Sequence, residues 1–151
     1  MQTSEEWRAS MARLWMRCLL LCCLVLLLSG CPEEGGGKGT VLEQNQRDYS
    51  AAIRWGNFEG AWNLVDPKVR EEHPLTDIDF SRYKQVQISG YRELGSSVLG
   101  NGDVLREIEI GVVNKYTMVE RTVRYREQWH YDEAHKTWWQ MSSLPDLWQQ
   151  D

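Results

Sequence analysis

Past residue 31 the chain has no cysteine. Whatever folds there is held without a disulfide, and thiolate zinc sites and thiol nucleophiles are excluded from it. The four cysteines that do occur are Cys18, Cys22, Cys23 and Cys31. The first three sit among leucines as small hydrophobes, and their spacing fits neither a metal cluster nor a redox pair. Basic residues are in deficit: 17 Lys and Arg against 22 Asp and Glu, a formal charge of −5. No basic stretch could track phosphates, so nucleic acid is excluded as a partner. Histidine is scarce. His73, His130 and His135 do not share a face at ligand spacing, which argues against zinc or a Cys/His nucleophile. The expectation is therefore a protein with no metal and no cofactor. Long apolar runs are missing too. The longest covers residues 18–28, about half the roughly twenty residues a spanning helix needs.

That short run is the first informative feature. Arg8, Arg13 and Arg17 precede it, and its length suits the apolar region of a secretion signal. Leu28-Ser29-Gly30-Cys31 follows at once. This resembles the lipobox of bacterial lipoproteins, in which small residues let the extended chain enter the signal peptidase. The resemblance implies that residues 1–30 are a signal peptide and that Cys31 carries a diacylglyceryl group. The bilayer is then a partner through two or three acyl chains of the palmitate class, each buried CH₂ contributing about 0.8 kcal/mol. The competing readings are a plain signal peptide, or a short anchor with a chance cysteine. Position 32 is Pro rather than Asp. In a Gram-negative cell that implies the outer membrane, with the domain facing the periplasm. Glu5 and Glu6 are out of place in a signal, and a start at Met11 rather than Met1 gives a cleaner one. Residues 31–40, rich in glycine, read as the lipidated cysteine and a flexible tether. Residues 41–151 read as one folded domain.

Leu42, Asn45, Tyr49, Ala52 and Ile53 share a helical face, and Gly56 is placed to end that helix. Asn57 caps a second helix through Phe58, Ala61, Trp62 and Val65, which Asp66-Pro67 ends. A short third turn covers residues 68–72. From there the pattern is a meander of four strands: residues 85–94 with a bulge at Ser89-Gly90, then 104–113, 118–131 and 137–144. Setting Val113 opposite Met118 pairs Ile108 with Val123 and Glu107 with Arg124. Setting Tyr131 opposite Thr137 pairs Trp129 with Trp139 and Gln128 with Gln140. Both hairpins then agree on one inner face: Ile108, Ile110, Val112, Val119, Val123, Tyr125, Trp129, Tyr131, Trp139 and Met141. The expected class is α+β, with N-terminal helices packed on a curved antiparallel sheet.

The stretch Tyr49-Ser50-Ala51-Ala52-Ile53-Arg54-Trp55-Gly56-Asn57-Phe58-Glu59-Gly60-Ala61-Trp62-Asn63-Leu64-Val65-Asp66-Pro67 resembles the opening helices of the NTF2-like superfamily, the cystatin-like α+β cone. Trp129-His130-Tyr131-Asp132, followed by Lys136-Thr137-Trp138-Trp139, is similar to its last hairpin. The resemblance implies a cone whose mouth can hold a small molecule. In enzymatic members that pocket carries an acid/base carboxylate or a His–Asp pair.

Here the inner face is nearly all apolar, broken by Arg121 and Glu127, which lie about 20 Å apart along one strand. With Tyr125 and Trp129 they are the candidate pocket residues. The competing reading puts the Arg121 head in water and bonds Glu127 to the helix layer. Asp77-Ile78-Asp79 reads as a turn or the start of a strand rather than a cation site. Glu107, Glu109, Arg124 and Arg126 form an outward charge ladder, a solvated face or, with Trp138 beside it, a partner surface. No catalytic set stands out. The reading is a membrane-anchored, non-enzymatic binding or assembly module of the cell envelope with an envelope protein as partner. The alternative is a small-ligand-binding or enzymatic cone using a polar pocket residue.

Overall fold

A computed structural model describes residues 37–148; the signal-like segment and Cys31 lie outside them. Helix α1 is Lys38–Arg54. Lys38, Gly39 and Thr40, expected in the tether, form its first turn instead. Tertiary contacts offset the poor helix propensity of Gly39. The Trp138 indole donates to the Lys38 carbonyl at 2.8 Å, and the Lys38 ammonium lies 4.2 Å from the centre of the Tyr131 ring and pairs with Glu133. At the other end Gly56 takes the left-handed backbone (φ 74°) that stops the helix. Helix α2 is Phe58–Trp62, capped by Asn57, whose side chain accepts from the Gly60 N–H at 2.9 Å. Helix α3 is Pro67–Glu72, with Asp66 as cap and proline at the start, where its missing N–H costs nothing.

Helix α4, Asp77–Tyr83, stands where a turn or strand start was expected. A capping box explains it. The Asp79 N–H donates to Thr76 Oγ1 at 3.3 Å, and the Asp79 carboxylate accepts from the Thr76 N–H at 2.8 Å. The Thr76 bonds hold the Asp79 carboxyl below the ordinary carboxylate range, the backbone bond most. Asp79 is thus committed to a helix start. Thr76→Ala should lower stability by about 1 kcal/mol in urea unfolding, with an unchanged m-value.

Strands β1 (Val86–Val98), β2 (Val104–Asn114), β3 (Glu120–Asp132) and β4 (Thr137–Gln140) form one antiparallel sheet in the order β1-β2-β3-β4. Strand β1 has register shifts between Ile88 and Gly90 and between Glu93 and Gly95, one more than expected. The β2–β3 register sets Val113 opposite Glu120 and Ile108 opposite Tyr125. It differs from expectation by two residues because the turn closes further along: Asn114 Oδ1 accepts from the Tyr116 and Thr117 N–H groups, and the Asn114 N–H donates to Val119 O at 3.0 Å. A two-residue slip keeps every side chain on its face. Ile108, Ile110, Val112, Val123 and Trp129 are accordingly buried, while Val119 falls outside the strand and is exposed.

The β3–β4 register differs by one residue, which inverts the faces of β4. Trp139 lies opposite His130 and Gln140 opposite Trp129. Trp138 and Gln140 are therefore buried, and Trp139 and Met141 are not the inward pair expected. The cause is a tighter turn. Asp132 pairs with Thr137, its Oδ1 accepts from the Ala134 and His135 N–H groups, and Lys136 takes a left-handed backbone (φ 53°). Helix α1 packs on the inner face, with Tyr49 edge-on to Trp129 at 5.7 Å. The chain after β4 returns across the core and buries Leu144 and Leu147; Pro145 O accepts from the Tyr83 hydroxyl at 3.1 Å. This is an α+β fold.

Candidate functional site

The four pocket candidates do not gather around one space. Arg121 is half-buried and turns its guanidinium onto the C-terminal segment, donating from Nε to Leu147 O at 3.0 Å and from a terminal nitrogen as well. Tyr125 donates to Ser143 O at 2.6 Å, and its oxygen meets the Tyr49 hydroxyl at 3.0 Å and the Gln140 amide. Burial pushes the Tyr49 and Tyr125 hydroxyls well above the ordinary phenol range, so both remain neutral donors. These two sites tie the sheet to α1 and to the chain end.

Glu127 and Trp129 belong to a third cluster. Glu127 is fully buried, and three donors of the chain itself take up its carboxylate. The Tyr91 hydroxyl bonds Oε1; Oε2 accepts from Arg106 at 2.9 Å and from the Trp129 indole at 2.8 Å. Arg106 continues outward to Glu93, with Nε 2.8 Å from Oε2. Burial pushes the Glu127 carboxyl up to about 7, while the Trp129 bond pulls it down. Arg106 was not singled out from sequence. Its signal was its parity: it alternates in step with Ile108 and Ile110, and the observed register sets it opposite Glu127. The expected register had placed Tyr125 there.

On the outer face Arg124 and Arg126 are exposed as expected. Arg126 pairs with Glu107 at 3.2 Å and Arg92 with Glu109 at 2.6 Å. Leu94, Glu107, Arg124 and Arg126 border a shallow depression of about 300 Å³. Trp138 does not belong to this surface. Inverted by the β4 register, it lies on the inner side against Tyr131, 5.3 Å between ring centres, and is only 6% exposed.

A pairing absent from the sequence reading joins His130 to Asp103. His130 Nδ1 lies 2.7 Å from Asp103 Oδ1, while Gln128 and Asn101 donate to Oδ2 at 2.7 and 3.0 Å. Burial pushes the Asp103 carboxyl up, but these donors outweigh it and hold it below the ordinary range. The pair borders a cleft of about 490 Å³ with Lys38, Tyr131 and Trp138. An imidazole backed by a carboxylate can accept a proton. Among the described residues the cleft is lined by the Tyr131 phenol but by no Ser, Thr or Cys, the residue types that an imidazole most often activates. The described residues include no group of three or more His, Cys, Asp or Glu placed to hold a metal. None of their helices is long and apolar enough to cross a membrane.

No known family's sequence pattern matches the chain, and no curated protein matches it. Among solved structures it is similar to a SEC-C motif-containing protein from Psychrobacter arcticus, with a TM-score of 0.53 and 10% sequence identity, over 82% of this chain and 68% of that one. At such identity the likeness speaks for the fold alone.

Proposed function

We propose that this chain is a bacterial lipoprotein, anchored through acylated Cys31, whose α+β domain is a non-enzymatic binding or assembly module of the cell envelope. The Leu28-Ser29-Gly30-Cys31 sequence carries the anchor. The closing of Glu127 by Tyr91, Arg106 and Trp129 carries the second half, because the carboxylate inside the sheet is already bonded on both oxygens. That weighs against the small-ligand or enzymatic alternative, which needed Glu127 or Arg121 to meet a ligand. Helices on the inner face of a four-stranded antiparallel sheet are compatible with an NTF2-like cone, and we carry that family as part of the proposal. The outer membrane facing the periplasm is the proposed location in a Gram-negative cell.

The partner surface is Arg124 and Arg126 with Leu94 beside them. Crosslinking from intact envelopes should capture a specific envelope protein with the wild type. Arg124→Glu with Arg126→Glu should lose it, because reversing two exposed charges opposes docking while leaving the core untouched. Capture that is unaffected by the double variant would make this face ordinary solvated sheet.

A further inference from the structure

The end of α1 presents a tryptophan almost wholly to solvent. Trp55 is 88% exposed. Beside it the β2–β3 turn exposes Tyr116, Met118 and Val119. Trp55 and Lys115 border one depression of about 310 Å³, floored by Val86 and Ile88, so helix end and turn are neighbours. An apolar cluster held this openly is uncommon on a folded domain and marks a contact surface. Met118 holds a left-handed backbone, φ 57°, that glycine would hold without strain. The strained position therefore carries an apolar side chain into solvent.

The charges around this end are mainly cationic, against the −5 of the whole chain. Arg54 flanks Trp55, and the Lys115 ammonium donates to Lys84 O at 2.9 Å, keeping two lysines together. Opposing them are Glu59, 4.0 Å from Lys84, and Glu120, which accepts from Ser89.

We propose that this end is a bilayer-contact tip: Trp55, Tyr116 and Met118 enter the boundary between headgroups and acyl chains, and Arg54 and Lys115 meet anionic lipid phosphates. Trp and Tyr favour that depth, and basic side chains are drawn to anionic leaflets. Chain length favours the bilayer over a protein as occupant. Residues 32–37 separate Cys31 from the start of α1, and an extended chain covers at most about 25 Å from Cys31 to Lys38. Helix α1 has 17 residues and is about 25 Å long. The far end of α1 can therefore reach the membrane that holds Cys31, a reach that rests on the lipoprotein reading.

The test uses mature acylated protein reconstituted into vesicles of equal parts phosphatidylglycerol and phosphatidylcholine. With the Cys31 sulfur acylated, Trp55→Cys, Tyr116→Cys and Ser97→Cys each offer one free thiol for an environment-sensitive dye. Labels at 55 and 116 should shift to the blue and be quenched by nitroxide lipids, more weakly in pure phosphatidylcholine, while the label at 97 stays water-like. Met118→Gly should reduce the shift at 116 without lowering the thermal midpoint. Dyes at 55 and 116 as water-like as that at 97, on protein that floats with the vesicles, would overturn the tip. So would a shift seen only in native envelopes, which would assign the surface to a protein. Protein that is purified from membranes without acyl chains on Cys31 would overturn the lipoprotein reading, and with it the reach that the tip requires.

Discussion

Arg106→Met should lower stability by about 3–5 kcal/mol at pH 8, the loss expected when one partner of a buried ion pair is removed. Glu127 is fully buried, and Arg106 is the cation at its oxygens. Methionine fills much of the space but leaves the carboxylate facing only the neutral donors Tyr91 and Trp129. The loss should shrink by pH 5, because a protonated Glu127 carries no charge to neutralise. The sign in the wild type follows from the same burial. Glu127 rises from 4.5 to about 7 in the fold, so the folded chain binds this proton more tightly than the unfolded one. Its contribution is most favourable below pH 4.5 and is lost as pH rises through 7, by on the order of 3 kcal/mol. Urea midpoints of wild type, Arg106→Met and Glu127→Gln between pH 4.5 and 8 measure this. Glu127→Gln should remove the slope that the wild type owes to this group. A loss in Arg106→Met that is equal at pH 5 and pH 8 would mean that Glu127 does not titrate there.

Cys31→Ser should move the protein out of the membrane's lipoprotein fraction altogether. Serine has no sulfur to take the diacylglyceryl group, and lipoprotein processing depends on that transfer. At about 0.8 kcal/mol per buried CH₂, two acyl chains anchor the wild type stably. Membrane fractions of cells expressing the two forms should show mature, detergent-requiring wild type. The variant should appear as unprocessed precursor retained by its uncleaved apolar run. A variant that is cleaved and extracted like the wild type would reduce the segment to a plain signal peptide.

What could be read from sequence depended on how each inference fails. Alternation along β2 and β3 gave the inner face correctly apart from Val119, which is exposed in the turn, even though the turn shifted pairing by two, because faces repeat every two residues. The same reasoning failed at β4. There the tighter turn at residues 133–136 moved the register by one, so Trp138 went from the expected partner surface into the core. Two adjacent tryptophans offer no alternation with which to detect that error. Helix α4 was missed because Asp77 and Asp79 resemble loop residues until Thr76 is recognised as the other half of a capping box. The Arg106–Glu127 pair needed the exact register, while Asp103 with His130 needed a turn residue placed against the end of β3. Long-range pairings of single polar residues leave no periodic trace.

The most direct test of the account is the intact mass of the N-terminal peptide of the mature protein, purified from membranes in detergent. The expected peptide begins at Cys31 and carries a diacylglyceryl mass, with or without a further acyl chain on its amine. An unmodified N-terminus, or a chain that still contains residues 18–28 with a free Cys31 thiol, would contradict it.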